Sequence, residues 1–263
     1  RNLRNILEAD VDDNTIKDVA ERIGDAQEVL KSKQFPFRFL SAYRELKTVC
    51  NGKVPIIMDS LEDAVQASAQ NIKGFSKETR VLLACDVSGS MYTPISPKSS
   101  VKNYDIGLVL AMLLRNRCEN VVTGIFGDIW KAVAMPLRGI LSNVEQMYKR
   151  EGEVGYSTNG YKVIEYLRNK SIQMDKVMMF TDCQMWNSYG SGQTIQSEWK
   201  KYKEIAPKAK LYLFDLNGYG QSPLNLADND VVLIAGWSDR VFDMLDAIEQ
   251  GGNVLAKIKE IEL

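Results

Sequence analysis

The chain has 263 residues, of which 45% are hydrophobic and 25% charged, so it can bury the cores of one large or two modest domains. Its 33 basic and 34 acidic residues nearly cancel, which excludes the overall basic charge of many nucleic-acid-binding proteins and restricts RNA contact to a local patch. It contains no histidine, which excludes Ser-His-Asp and Cys-His catalysis and removes the commonest zinc ligand.

The first 80 residues carry a helical pattern. Apolar residues recur at helix spacing over residues 16–23, again after Pro36, and again from Pro55 to Ser68. Helices with apolar faces and no strands of their own are typical of helical-repeat modules. We therefore predict a small all-α helical-repeat segment over residues 1–78.

From residue 79 the pattern changes to short apolar runs, which indicate buried parallel strands. These runs cover residues 81–85, 121–126, 176–181, 210–216 and 231–235. Amphipathic helices are predicted between them, at 104–115, 161–167, 195–205 and 240–248, and an antiparallel edge strand at 130–135. This alternation predicts an α/β, Rossmann-like domain with a mostly parallel sheet over residues 79–263.

Polar side chains follow two of these strands at the point where each strand ends. Asp86, Ser88 and Ser90 come after the first strand, and Asp182 follows the run that ends at Thr181. Ligands of open parallel sheets bind at the carboxyl ends of the strands. Carboxylates and neutral hydroxyls suit a hard cation, so we expect Mg²⁺ at this edge, with Mn²⁺ or Ca²⁺ as possible substitutes.

The segment DVSGSM after an apolar strand resembles the metal-ion-dependent adhesion site (MIDAS) of von Willebrand factor A domains. That resemblance implies two further ligands: Thr158, in the GYSTNG loop before the helix at Tyr161, and Asp182. The loop reads YST where GGT is usual in the family. An octahedral ion held by this set would keep one position open, which a partner could fill with a phosphate or with the carboxylate of an acidic protein residue.

Ordinary helix capping is the alternative interpretation of part of the same pattern. The DVSGS segment alone could be a turn that caps a helix, and Thr158 alone could be a helix N-cap. Asp105, Asp128 and Asp215 are interpreted as surface or supporting groups, although Asp215 follows a strand and stays a weak ligand candidate.

The segments RNLRNIL and QFPFRFLSAYREL resemble the last helical repeats of the TROVE module of Ro 60 kDa ribonucleoproteins. In that family a ring of helical repeats is closed by a von Willebrand A domain, and the order here agrees. The resemblance implies binding of small noncoding Y RNAs and of structured or misfolded RNA, in RNA quality control. Because the chain begins without methionine inside a helical pattern, we expect it to be part of a longer protein.

A local basic patch supports RNA binding in the helical segment. The candidate RNA-binding residues, which alternate with aromatic residues, are Lys31, Lys33, Arg38, Arg44 and Lys47. Basic side chains neutralise phosphates, and aromatic rings can stack on bases. An alternative interpretation is that the aromatic residues form the core face of a helix and the basic residues its solvated face.

Two other functions are weighed. A metal-dependent protein-interaction module without RNA binding is compatible with the same domain. A Mg²⁺-dependent phosphatase is disfavoured because Ser88 stands where such enzymes carry a second carboxylate, so no enzymatic activity is expected.

The compartment is predicted from the cysteines and from hydropathy. The scattered cysteines, without a CxxC pair, favour a reducing, cytoplasmic location. No apolar stretch reaches the roughly 18 residues of a membrane span, so no membrane association is expected.

Overall fold

The computed structural model describes residues 2–9, 11–32, 34, 36–69, 75–95, 97, 99–135, 137–150, 152–184, 193–218, 220, 222–226, 230–236 and 241–249. The chain divides into two compact units. The helical unit comprises Arg1–Phe75, Arg138–Asn143 and Ser238–Leu263, and the sheet unit comprises Ser76–Leu137 and Val144–Trp237. No helix in these described ranges has the length and apolar character needed to cross a membrane.

The elements follow one another along the chain as helices first and then as alternating strands and helices. They are α1 (Asn2–Glu8), α2 (Asp13–Gly24), α3 (Ala26–Ser32), α4 (Pro36–Leu46), α5 (Val54–Ala69), β1 (Val81–Asp86), a 3-10 helix (Gly89–Tyr92), α6 (Asn103–Arg117), β2 (Val121–Phe126), β3 (Trp130–Ala132), α7 (Ile140–Tyr148), α8 (Tyr161–Asn169), β4 (Lys176–Thr181), α9 (Ile195–Ile205), β5 (Lys210–Asp215), β6 (Val231–Ala235) and α10 (Val241–Glu249).

In the helical unit, α2, α3 and α4 pack on α5. Helix α5 is the most apolar of these, and Ile57, Leu61 and Val65 on it are almost fully buried. The carboxylate of Asp12 begins α2 by accepting the N–H groups of Asn14 and Thr15, which satisfies two of the amides that a helix start leaves without a partner. Burial of the α5 face therefore holds this unit together.

The six strands of the sheet unit lie in the order β3-β2-β1-β4-β5-β6. All neighbours pair in parallel except β2 and β3, which form the expected antiparallel edge. The predicted α/β fold with a mostly parallel sheet is confirmed. The edge strand is shorter than predicted, since it ends at Ala132.

Helices cover both faces of the sheet. Strand residues Leu82 and Ala84 share a core with α8 and α9, whereas Cys85 points to the other face, where its thiol contacts the carbonyl of Gly107 in α6. A Cβ at Gly107 would lie 2.9 Å from the Cβ of Phe180, so glycine permits the close approach of α6 to the sheet. Both faces of the sheet are therefore buried, which explains why its strands are continuously apolar.

The strand order places a crevice between β1 and β4. Strands β2 and β3 lie on one side of β1, and β4, β5 and β6 lie on its other side. This reversal is the topological switch point at which open α/β sheets bind ligands. The carboxyl ends of β1 and β4 therefore lie beside each other, with Asp86 as the last residue of β1 and Asp182 directly after β4.

Candidate metal centre

Asp86 is the last residue of β1, and hydrogen bonds fix both of its carboxylate oxygens. Oδ1 accepts the N–H of Ser88 at 2.8 Å, and Oδ2 accepts the hydroxyl of Thr181 at 2.6 Å. Burial raises the pKa of Asp86 to about 7, while the bonds from Ser88 and Thr181 act in the opposite direction. The side chain is thus held in one orientation in a setting where its negative charge needs a counter-charge.

Ser88 directly precedes the 3-10 helix and Ser90 lies in its first turn, with the two hydroxyl oxygens 3.4 Å apart. Adjacent ligands of an octahedral Mg²⁺ at about 2.1 Å are separated by roughly 3.0 Å, so this spacing is close to that of two ligands of one ion. Ser88 occupies the N-cap position, yet its side chain makes no capping hydrogen bond.

Asp182 follows β4 and is buried. Its Oδ1 accepts the N–H of Gln184 at 3.1 Å, whereas its Oδ2 has no hydrogen-bond partner among the described residues. A buried carboxylate oxygen without a partner is costly, and a cation would satisfy it. Because this oxygen has no other partner, the residues present are suited to binding a metal ion.

Thr158 is buried in the loop between α7 and α8, and neighbouring segments fix that loop. The carboxylate of Asp128 accepts the N–H of Ser157 at 2.8 Å. The N–H of Gly89 donates to the carbonyl of Tyr156 at 3.1 Å, which connects the serine turn with the threonine loop. The backbone thus connects the loop that carries Thr158 with the Ser88–Ser90 turn.

The structure brings Asp86, Ser88 and Ser90 together through direct hydrogen bonds. Asp182 is close enough for its charge to raise the pKa of Asp86. No group of three or more acidic, cysteine or histidine side chains that could hold a metal occurs in the described part of the chain. Three hydroxyls would therefore have to complete a site that has only two carboxylates, as in the predicted ligand set.

Two residues support the site: Thr181 was not identified from sequence, whereas Asp128 was interpreted there as a surface or supporting group. Thr181 orients Asp86, and Asp128 holds the threonine loop. The carboxylate of Asp128 is so near that a Cβ at Gly155, which has φ +78°, would lie 2.1 Å from it. In the sequence, Gly155 directly before the YST segment is the local signal for this close approach of Asp128.

Asp215 and Asp105 bind backbone amides and have structural roles. Both carboxylate oxygens of Asp215 accept backbone N–H groups, from Gly218 at 3.0 Å and from Gly220 at 2.7 Å. Asp105 accepts the N–H of Lys102 at the start of α6. Both aspartates stabilise backbone turns, as expected for supporting groups.

The candidate RNA-binding residues lie in the helical unit around α3 and α4. Lys31, Arg38 and Lys47 are exposed, Arg44 is half-buried, and Lys33 lies outside the described residues. Arg38 and Arg44 are six positions apart on α4, which places them about 120° apart around the helix. The basic residues therefore do not form one stripe along α4.

The aromatic residues of this region divide between core and surface. Phe39 is buried in α4, together with Leu40 and Leu46. Phe37 and Tyr43 are half-buried. Packing accounts for Phe39, and the two half-buried rings are the aromatic groups of α4 that a base could reach.

Comparison with known proteins places the two segments. The family model described as the Ro60 vWA domain matches residues 80–248, and the one described as the TROVE domain matches residues 1–80. A search of curated proteins found no match.

Among solved structures, the crystal structure of the Deinococcus radiodurans RO (RSR) protein is similar, with a TM-score of 0.70 and 20% sequence identity. The match covers 95% of this chain and 52% of that one, so the chain spans about half the length of the solved protein. At this identity the likeness shows a shared fold.

Proposed function

Because the chain belongs to the Ro60 family, with a TROVE match followed by a Ro60 vWA match, we propose that it is an RNA-binding protein of the Ro ribonucleoprotein type. Its ligands would be small noncoding Y-like RNA and structured or misfolded RNA, consistent with RNA quality control. The observation that carries this proposal is the presence of both domain types, in this order, in one chain.

The helical unit supports this proposal through its surface charge. Lys31 and Lys47 are exposed on it, and Arg38 is exposed between them. Lysine and arginine supply the sequence-independent part of RNA affinity by neutralising phosphates, which makes binding depend on salt. Sequence information would have to come from base contacts elsewhere on the protein.

A salt titration tests RNA binding. The full-length protein should bind a fluorescent small structured RNA, and the logarithm of its binding constant should fall linearly with the logarithm of the salt concentration. Lys31→Ala/Lys47→Ala should lower that slope by about 1.8, from two duplex phosphate contacts of about 0.9 each. The matched control is Lys17→Ala/Arg22→Ala, two exposed residues of the same unit with the same charge change. A protein that binds no structured RNA at 50 mM salt would contradict the proposal.

The sheet unit would hold Mg²⁺, with Mn²⁺ or Ca²⁺ as substitutes, through the MIDAS ligand set. The residues that would hold it are Asp86, Ser88, Ser90, Thr158 and Asp182. A bound ion would present a Lewis-acidic position to an anionic ligand, such as the carboxylate of a protein partner. The partnerless Oδ2 of Asp182 supports this proposal, and calorimetric titration with MgCl₂ tests it.

The alternative is a metal-dependent protein-docking module without RNA binding. It is favoured by the position of the site, whose polar residues all lie within the sheet unit and need nothing from the basic residues of α3 and α4. Partner capture that chelator abolishes and salt leaves unchanged would support this alternative. Salt-dependent RNA binding would support the ribonucleoprotein.

We further propose a non-enzymatic protein of the cytoplasm. Ser88 replaces the second carboxylate that a phosphatase of this kind would use. The four cysteines are free thiols, which fits a reducing compartment. A phosphatase assay with MgCl₂ and fractionation of cells test these two points.

A further inference from the structure

A cleft of about 540 Å³ lies in the sheet unit at the edge where the strands begin. Its walls include the last turns of α9 and the segment that leads into β5, and Asp230 borders it directly before β6. The metal-site aspartates Asp86 and Asp182 lie at the carboxyl ends of β1 and β4, at the opposite edge of the same sheet. The cleft is therefore a separate site, here named the lysine cleft.

Charge in the lysine cleft is strongly one-sided. Four lysines line it, namely Lys200, Lys203, Lys208 and Lys210, against the single acid Asp230. Asp230 is neutralised by Lys203, whose Nζ lies 2.9 Å from its Oδ2. Within the described residues no acidic side chain pairs with Lys200 or Lys208, and both are exposed. The cleft thus keeps an uncompensated positive charge that favours an anion.

The cleft is also bordered by a tryptophan and by the end of α9. Trp199 lines it, and its buried indole Nε1, which can only donate, has no partner among the described residues. Two carbonyl groups near the end of α9 are already engaged: that of Ile205 accepts the side-chain amide of Gln173, and that of Ala209 accepts the Nζ of Lys203.

The cleft fits a phosphate group better than a base. Trp199 is only 2% exposed, so its ring cannot stack on a nucleobase. A volume of this size accommodates a phosphodiester with its ribose. Contacts to phosphate position RNA without reading its sequence.

We propose that the lysine cleft binds the phosphate backbone of single-stranded RNA, as a second RNA contact that lies in the sheet unit. This inference rests on the proposed RNA-binding function and adds a site to it. Lys200 and Lys208 would contact phosphates directly, and Lys203 would hold the wall of the cleft through Asp230. Binding would be independent of sequence.

The test measures the salt dependence of single-strand binding by the full chain. Fluorescein-labelled 15-nucleotide oligouridylate and oligoadenylate are titrated by anisotropy between 50 and 300 mM KCl. Lys200→Ala/Lys208→Ala should lower the log–log salt slope by about 1.4, since each single-strand phosphate contact contributes about 0.7. Two such contacts correspond to about 25-fold weaker binding at 0.1 M salt, equally for both oligonucleotides. The matched control Lys149→Ala/Lys170→Ala removes two other exposed lysines of the same unit.

Three results would overturn the inference. If Lys200→Ala/Lys208→Ala binds both oligonucleotides with the wild-type slope, the cleft does not contact RNA, although the proposed function stands. If the wild type binds neither single-stranded nor structured RNA, both fail. If the variant loses binding of inorganic tripolyphosphate while its RNA slope is unchanged, the cleft is a site for small anions only. Thermal denaturation of each variant verifies that it is folded.

Discussion

Magnesium should stabilise the sheet unit, and a single substitution should abolish this effect. At a Mg²⁺ concentration 100 times the Kd, binding to the folded state alone adds about 2.7 kcal/mol. For a unit of this size each kcal/mol raises Tm by about 2–4 °C, so the expected rise is roughly 5–11 °C. Differential scanning fluorimetry with EDTA or with increasing MgCl₂ measures it. We expect Asp182→Asn to show no Mg²⁺-dependent rise.

Without metal, the order of stability should reverse. The wild type buries the partnerless Oδ2 of Asp182 beside Asp86, and a buried polar group left unsatisfied costs about 1–3 kcal/mol. Asp182→Asn removes the charge and keeps an oxygen for the N–H of Gln184, so in EDTA it should melt above the wild type. The control Glu119→Gln neutralises an exposed acid of the same unit. A Mg²⁺ shift that survives in Asp182→Asn, or a wild type that MgCl₂ does not stabilise, would refute the proposed site.

Three further outcomes follow from individual contacts. Replacing Asp128 with Ala should weaken Mg²⁺ binding by about 10–100-fold in calorimetry with unchanged circular dichroism, because Asp128 orients the loop of Thr158 through Ser157. Burial acts to raise the pKa of Glu198, but its bonds to Lys201 and Arg168 outweigh burial and lower it. The ionised group therefore stabilises the fold above the unfolded-state pKa of about 4.3, and that contribution is lost as the pH falls through the folded-state pKa. Glu198→Gln should then lower the free energy of unfolding by about 2 kcal/mol at pH 7, measured by urea denaturation, and by less below pH 4. Equal losses at the two pH values would disprove the assignment. Gly124→Ala should cost about 1–3 kcal/mol, since the new Cβ would lie 2.4 Å from the Lys131 carbonyl, and an unchanged urea midpoint would disagree.

The strands of the sheet unit were predictable because their signal is local. Each of the runs that begin at Val81, Val121, Lys176 and Val231 is a strand in the structure. A continuous apolar run that is too short for a typical helix indicates a strand buried on both faces. The same reasoning identified the edge at which Asp86 and Asp182 meet, because parallel strands end together.

Helix α7 was not predicted, and its start depends on a distant residue. The N–H groups of Leu141 and Ser142 donate to the carboxylate of Glu62, which lies about 80 positions earlier in the chain. A helix whose first amides are satisfied in this way carries no capping signal of its own. The hydrogen bond from Thr181 to Asp86 escaped prediction for the same reason, since it joins residues 95 positions apart.

The ligand chemistry explains why the metal centre would serve docking better than hydrolysis. Both oxygens of Asp86 already accept hydrogen bonds, so this carboxylate is poorly placed to attack a substrate. Ser88 and Ser90 are neutral. The two carboxylates of the proposed ligand set would together neutralise the two positive charges of Mg²⁺ and leave no excess negative charge to repel an anionic ligand. Without histidine, the chain also lacks the commonest general base for activating water. In the proposed site, an ion with neutral hydroxyl ligands and an open position would attract an anionic oxygen from outside.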